Sequence, residues 1–148
     1  MIDRAALEVI AEASRRGLEG LKGNAGSMFH RFPRGACGPA AEILGRILKE
    51  MLNCDGVYVC GQGHPLLNPE QSHAWFEVGD FILDITHDQF KGTGLSGWAF
   101  EREGGWHSQF SDQDRRKGYC TPEGWPCYPH DGYEAAMTEL AIARHTGK

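Results

Sequence analysis

One cysteine stands where an apolar helix begins. In FPRGACGPAAEILGRIL, residues 32–48, Cys37 is followed at once by Gly38 and Pro39, and the apolar run starts just beyond them. A cysteine kept only for its bulk would suit any position along the apolar stripe. At a helix start, the macrodipole and the free N–H groups stabilise a thiolate, the reactive form of the sulfur. Downstream, SHAWFEV contributes His73 and DFILDIT contributes Asp84. A thiol nucleophile needs a base to take its proton, and the base needs a third group to set its tautomer and orientation. Cys37, His73 and Asp84 supply all three roles, and the Cys37 backbone N–H is placed to donate to an oxyanion. The chemistry this set suits is acyl transfer through a thioester.

The elements around these residues can be read from periodicity. Residues 3–21 predict an amphipathic helix, with Ala6, Val9, Ile10, Ala13 and Leu18 on its apolar side. Gly20, Gly23 and Gly26 break it into the loop KGNAGSMFHRFPRG. A second helix is expected from about Pro39 to Leu52, with an apolar stripe of Ala40, Ile43, Leu44, Ile47, Leu48, Met51 and Leu52. Pro39 suits the first turn, where its missing N–H costs nothing. Val57–Cys60 predicts a short buried strand, and GQGHPLLNPEQ a loop. A further strand is expected near Leu95–Phe100, and a closing helix over Tyr133–His145.

The clearest local signal is SHAWFEVGDFILDIT, two extended runs joined at Gly79-Asp80, which predicts a hairpin. With that turn, Trp75 lies opposite Asp84 and His73 lies diagonal to it, within side-chain reach. One face then carries Ala74, Phe76, Val78, Phe81, Leu83 and Ile85. The other carries His73, Trp75, Glu77, Ile82, Asp84 and Thr86. A one-residue slip would exchange the two sets, so the register is well specified.

These segments resemble a known superfamily. HAWFEVGDFILDIT is similar to the His and Asp segments of papain-like and transglutaminase-like cysteine enzymes, and FPRGACGPAAEILGRIL resembles their nucleophile helix. The set FPRGAC, SHAW, DITHDQF and WHSQF also looks like a group of small bacterial proteins of that fold. The resemblance covers about residues 29–110. It implies a single α+β domain over 1–148, with the nucleophile helix packed on a small antiparallel sheet. It also implies Cys37 as nucleophile, His73 as general base and acid, Asp84 as the orienting residue, and no cofactor. Papain-type enzymes place a Gln upstream of the nucleophile; no Gln precedes Cys37, which favours the transglutaminase-like branch. The implied reaction is attack on an amide carbonyl of a peptide or protein, as a peptidase, isopeptidase, deamidase or transglutaminase.

Several other residues are candidates for binding or oxyanion stabilisation. Asn24, Ser27 and His30 stand upstream of Cys37 in place of the missing Gln, and Gly38 follows it. Arg31 and Arg34 flank the nucleophile and suit either an acidic substrate group or plain solvent exposure. Trp75 reads as a wall that shields the base. Asp88, Gln89 and Phe90 either order the loop after Asp84 or line the cleft, and Trp106 and His107 either line the cleft as well or are ordinary loop packing.

Two rival readings use the same chain. A binding module of this fold would keep the cleft without the chemistry; a Cys37 that alkylates no faster than a model thiol at about pH 6 would decide for it. A zinc-stabilised protein would use Cys120, Cys127 and His130 in GYCTPEGWPCYPHDGY, with His107 as a possible fourth ligand. Metal analysis of wild type and Cys120→Ser decides that reading. The five cysteines include no CxxC pair, which points to reduced thiols rather than a disulfide framework. A net charge of −5 argues against a broad nucleic-acid surface. Asp3, Glu8 and Glu12 interrupt any signal-peptide core, and no run of about 18 apolar residues occurs. The expected location is the cytoplasm, or outside the cell after export without a classical signal peptide.

Overall fold

In the computed structural model, which describes residues 2–146, the chain forms a mixed α+β fold of three helices and one antiparallel five-stranded sheet. Helix α1 spans Arg4–Glu19 and opens on Asp3, whose side chain accepts the Ala5 N–H at 3.0 Å. Helix α2 spans Cys37–Leu52, so it starts two residues earlier than the periodicity suggests and takes Cys37 as its first residue. The strands are β1 (Val57–Gln62), β2 (Ser72–Val78), β3 (Phe81–Leu83), β4 (Ala99–Glu101) and β5 (Asp112–Lys117). Helix α3, His130–Thr146, closes the chain and begins three residues before the expected Tyr133. No helix among the described residues is long and apolar enough to cross a membrane.

The sheet order is β4-β3-β2-β1-β5. The hairpin forms in the expected register, with Val78 opposite Phe81 and Phe76 opposite Leu83. Gly79 takes the left-handed conformation that the two-residue turn demands, at φ +59°. Strand β1 runs two residues past the expected Cys60, and three of its six residues are half-buried rather than buried. Of the predicted Leu95–Phe100 strand, only Ala99 and Phe100 fall within β4, and the Trp98 carbonyl just before it accepts the Asp84 N–H at 2.9 Å.

One face of the sheet carries Phe76, Val78, Leu83 and Ile85, packed under α2 with its Ile43, Leu44, Ile47 and Leu48. In α1 the buried stripe is Leu7, Ile10, Ala11, Ala13 and Leu18, which corrects the expected one. Val9 is 44% exposed and Leu7 replaces it, because the helix turns its small-residue side to α3. There Gly17 lies so close to Ala135 that a Cβ would stand 2.6 Å from its carbonyl carbon.

The other sheet face is not left open to gather ionisable groups. A second apolar cluster covers it, built on Val59, Trp75, Ile82, Phe90, Trp106 and Phe110. Isolated aromatics in glycine-rich loops supply the cover, and they carry no periodicity to read. Strand β5, DQDRRK, has no apolar alternation either. Its alternation is ionic: Arg115 meets buried Glu77 on one face and Arg116 meets buried Glu42 of α2 on the other.

Candidate active site

Cys37 holds the first position of α2, whose N-cap, Ala36, has no side chain to cap the helix. The thiol reaches the end of β2 where the ladder to β3 has stopped, and there it meets the Ala74 N–H and the His73 ring. His73 is fully buried, and its Nε2–H donates to Asp84 Oδ2 at 2.7 Å. The remaining ring nitrogen, Nδ1, is the one left to exchange a proton with the thiol. Gln89 Nε2 stands 3.4 Å from that Nδ1 and also donates to the Thr86 carbonyl at 3.2 Å. The expected Cys37, His73 and Asp84 are therefore brought together.

Asp84 is more heavily bonded than the sequence suggests. Its Oδ1 accepts the Thr86 N–H at 3.0 Å, while Oδ2 accepts a second imidazole, His107 Nε2–H, at 2.6 Å. Burial alone would push this carboxyl up; the charge and hydrogen bonds of the two histidines overcome it and hold Asp84 well below the usual carboxylate range. Burial would likewise lower His73, but the Asp84 charge and hydrogen bond, helped by Cys37, raise it to about 9. Burial opposes the Cys37 thiolate too, and the His73 hydrogen bond and charge outweigh it, so the thiol is lowered. All three shifts favour the charged forms: thiolate, imidazolium and carboxylate.

His107 is thus a second histidine on the orienting carboxylate rather than a cleft-lining residue. Its ring also rests on Trp75, centroids 4.8 Å apart, and Trp75 itself is a buried wall whose Nε1–H donates to Glu77. His107→Phe keeps the ring and deletes the charged hydrogen bond. The expected cost is about 1.5–3 kcal/mol of stability, read from the denaturant midpoint. An unchanged midpoint would mean that Thr86 and His73 suffice to satisfy Asp84.

The remaining candidates divide. Trp106 is buried against the His73 and His107 rings, 5.9 and 5.1 Å away, and so packs the site without lining an open cleft. Asn24 is exposed and folds onto its own loop, its Oδ1 accepting the Gly26 N–H at 3.1 Å; it is a turn residue, not an oxyanion donor. Arg34 is exposed on the loop before α2. Asp88 orders the post-Asp84 loop: both its oxygens accept from Arg15 of α1, at 2.7 and 2.8 Å. Arg15 also donates to the Ile85 carbonyl at 2.8 Å and lies over the Phe32 and Trp98 rings. Arginine at an amphipathic helix looks like a solvated charge, so its role had no signal in the sequence.

Beside Cys37 runs an open groove of about 430 Å³, lined by Gly38, Glu42, Tyr58, Arg116 and Trp125 among others. A larger cavity, about 860 Å³, lies far from the thiol, between α1 and α3. Among the described residues, His73, Asp84 and His107 are the one group whose metal-ligating atoms converge, within 4.8 Å. Both Nε2 atoms are committed as donors to the carboxylate, which suits proton handling and leaves no lone pair turned inward. Cys120, Cys127 and His130 do not converge: Cys127 and His130 are exposed, and the His130 ring packs on Tyr128 instead. The proposed zinc site is corrected accordingly. No family model matches the chain, and no curated protein or solved structure matches it either.

Proposed function

We propose that the protein is a cysteine-dependent acyl-transfer enzyme acting on amide bonds of a peptide or protein, with a papain-like, transglutaminase-like arrangement of helix and sheet. The observation that carries this reading is the His73 ring, buried and held between the Cys37 thiol and Asp84 Oδ2. A binding module has no use for a proton path of that kind. In the reaction, the Cys37 thiolate attacks the carbonyl, His73 protonates the leaving amine, and Asp84 holds the ring through both steps. Gln89 packs beside the ring on its Nδ1 side. Water is the default acceptor of the thioester, which makes hydrolysis the simplest outcome; an amine acceptor would give transamidation. A cytoplasmic site of action, or export without a classical signal peptide, accompanies this reading.

The test is intact-mass labelling with iodoacetamide at about pH 6, where an ordinary thiol of pKa near 8.5 reacts slowly. Wild type is expected to take a single label at Cys37, and His73→Ala is expected to lose that fast phase. Slow labelling spread over several cysteines, unchanged in the variant, would show that the thiol is not activated and would remove the proposal.

A further inference from the structure

We propose that Tyr58 is the side-chain donor that, with the Cys37 backbone N–H, holds the oxyanion formed when Cys37 attacks a carbonyl. This rests on the acyl-transfer reading above and fills the place for which the sequence offers Asn24, Ser27 and His30. Tyr58 is the second residue of β1 and packs against the α2 side of the sheet. Its hydroxyl stands 3.2 Å from where a Cβ would lie on Gly38, the residue directly after the nucleophile. That separation is tighter than ordinary van der Waals contact, so a side chain at position 38 would push the phenol away. Glycine keeps the gap between hydroxyl and helix start open.

Four further features fit a donor open to a ligand. The Tyr58 hydroxyl makes no hydrogen bond among the described residues, unlike Tyr133, whose hydroxyl donates to Glu50. Its ring is held in place by Arg116, 4.5 Å from the ring centroid, and Arg116 is in turn fixed by Glu42. Burial, reinforced by the charges of Cys60, Cys37 and Glu42, raises the phenol to about 12, so it keeps its proton at neutral pH. Tyr58 and Gly38 both line the open groove beside Cys37, where an acyl group has room to lie.

The step balances as follows in atoms. The thiolate forms a C–S bond to the carbonyl carbon while the C=O π pair moves onto oxygen. Tyr58 O–H and Cys37 N–H donate to that oxygen and keep their protons. On collapse the pair returns, the bond to the leaving group breaks, and the His73 proton passes to a departing amine.

The experiment compares wild type with Tyr58→Phe, using p-nitrophenyl acetate as probe. Release of p-nitrophenolate and the acetyl adduct on Cys37 report acylation, and iodoacetamide labelling reports the Cys–His pair. Alkylation displaces iodide and builds no oxyanion. Tyr58→Phe is therefore expected to acylate slower by about 10²-fold while alkylating at the wild-type rate. Gly38→Ala is expected to slow acylation as well, and to add nothing to Tyr58→Phe, because both act on one hydroxyl. Equal acylation in wild type and Tyr58→Phe, with fast alkylation in both, overturns the role of Tyr58 and leaves Cys37 as nucleophile. Parallel loss of acylation and alkylation in Tyr58→Phe also overturns it, since the residue then acts on the thiol or the fold. Slow alkylation and no acetyl adduct in wild type would bring down the acyl-transfer reading itself.

Discussion

Asp84→Asn is expected to lower the rate of Cys37 acylation by about 10⁴-fold, the loss typical when the carboxylate behind a catalytic histidine becomes an amide. The reason lies in Oδ2, which accepts from both His73 and His107. An amide nitrogen there offers hydrogen atoms to two N–H groups, and an amide oxygen there offers no charge. His73 then loses the tautomer that leaves Nδ1 free for the thiol. Stability should fall as well, by about 3–5 kcal/mol, because the buried His73 loses its counter-charge and His107 loses its acceptor. The pH dependence has a definite sign. His73 is raised from 6.5 to about 9, so its contribution is complete below pH 6.5 and is lost as the pH rises through about 9. Asp84 is depressed from 3.8, so its contribution is present above that value and is lost only as the pH falls below it. The gap in unfolding free energy between wild type and variant should be widest between pH 3.8 and 6.5. Urea titrations across that range measure it; a gap that widens above pH 9 would contradict the assignment of charge to His73.

Arg15→Met is expected to cost about 3 kcal/mol, although Arg15 lies on a different helix from any reacting group. Met retains the apolar stem against Phe32 and Trp98 but deletes the fork that grips Asp88 and the Ile85 carbonyl. Asp88 keeps 40% of its side-chain exposure and can rehydrate, which limits the loss. The Ile85 carbonyl is buried and cannot. For a chain of this size the melting midpoint should drop by about 6–12 °C. The loop from Asp84 to Phe90 also presents Gln89 to His73, so the fast alkylation of Cys37 should slow in the same variant at temperatures where it stays folded. An unchanged midpoint would show that the loop is ordered by its own 3₁₀ turn at His87–Gln89.

Much of the candidate site was legible because each of its main residues sits on a segment with a strong local pattern. The apolar repeat from Ala40 to Leu48 specifies α2 and so places Cys37 at a helix start. The alternation through SHAWFEVGDFIL specifies the hairpin, its turn and its register, and so the diagonal reach between His73 and Asp84. These patterns are local: periods of 3.6 and 2 are enforced by backbone geometry whatever the rest of the chain does.

Local pattern thus specifies which residues share a face and which begin an element: Cys37 at a helix N-terminus, His73 and Asp84 on one side of a hairpin, an α+β composition around them. Long-range packing sets the rest: His107 shares the oxygen of Asp84, Arg15 grips the loop behind it, Tyr58 faces Gly38, and β5 joins the sheet. Each of these joins positions tens of residues apart. The ionic and hydrogen-bonded ones among them are polar and aperiodic in their own segments, and they find their partners only when burial removes water as the competing hydrogen-bond donor and acceptor.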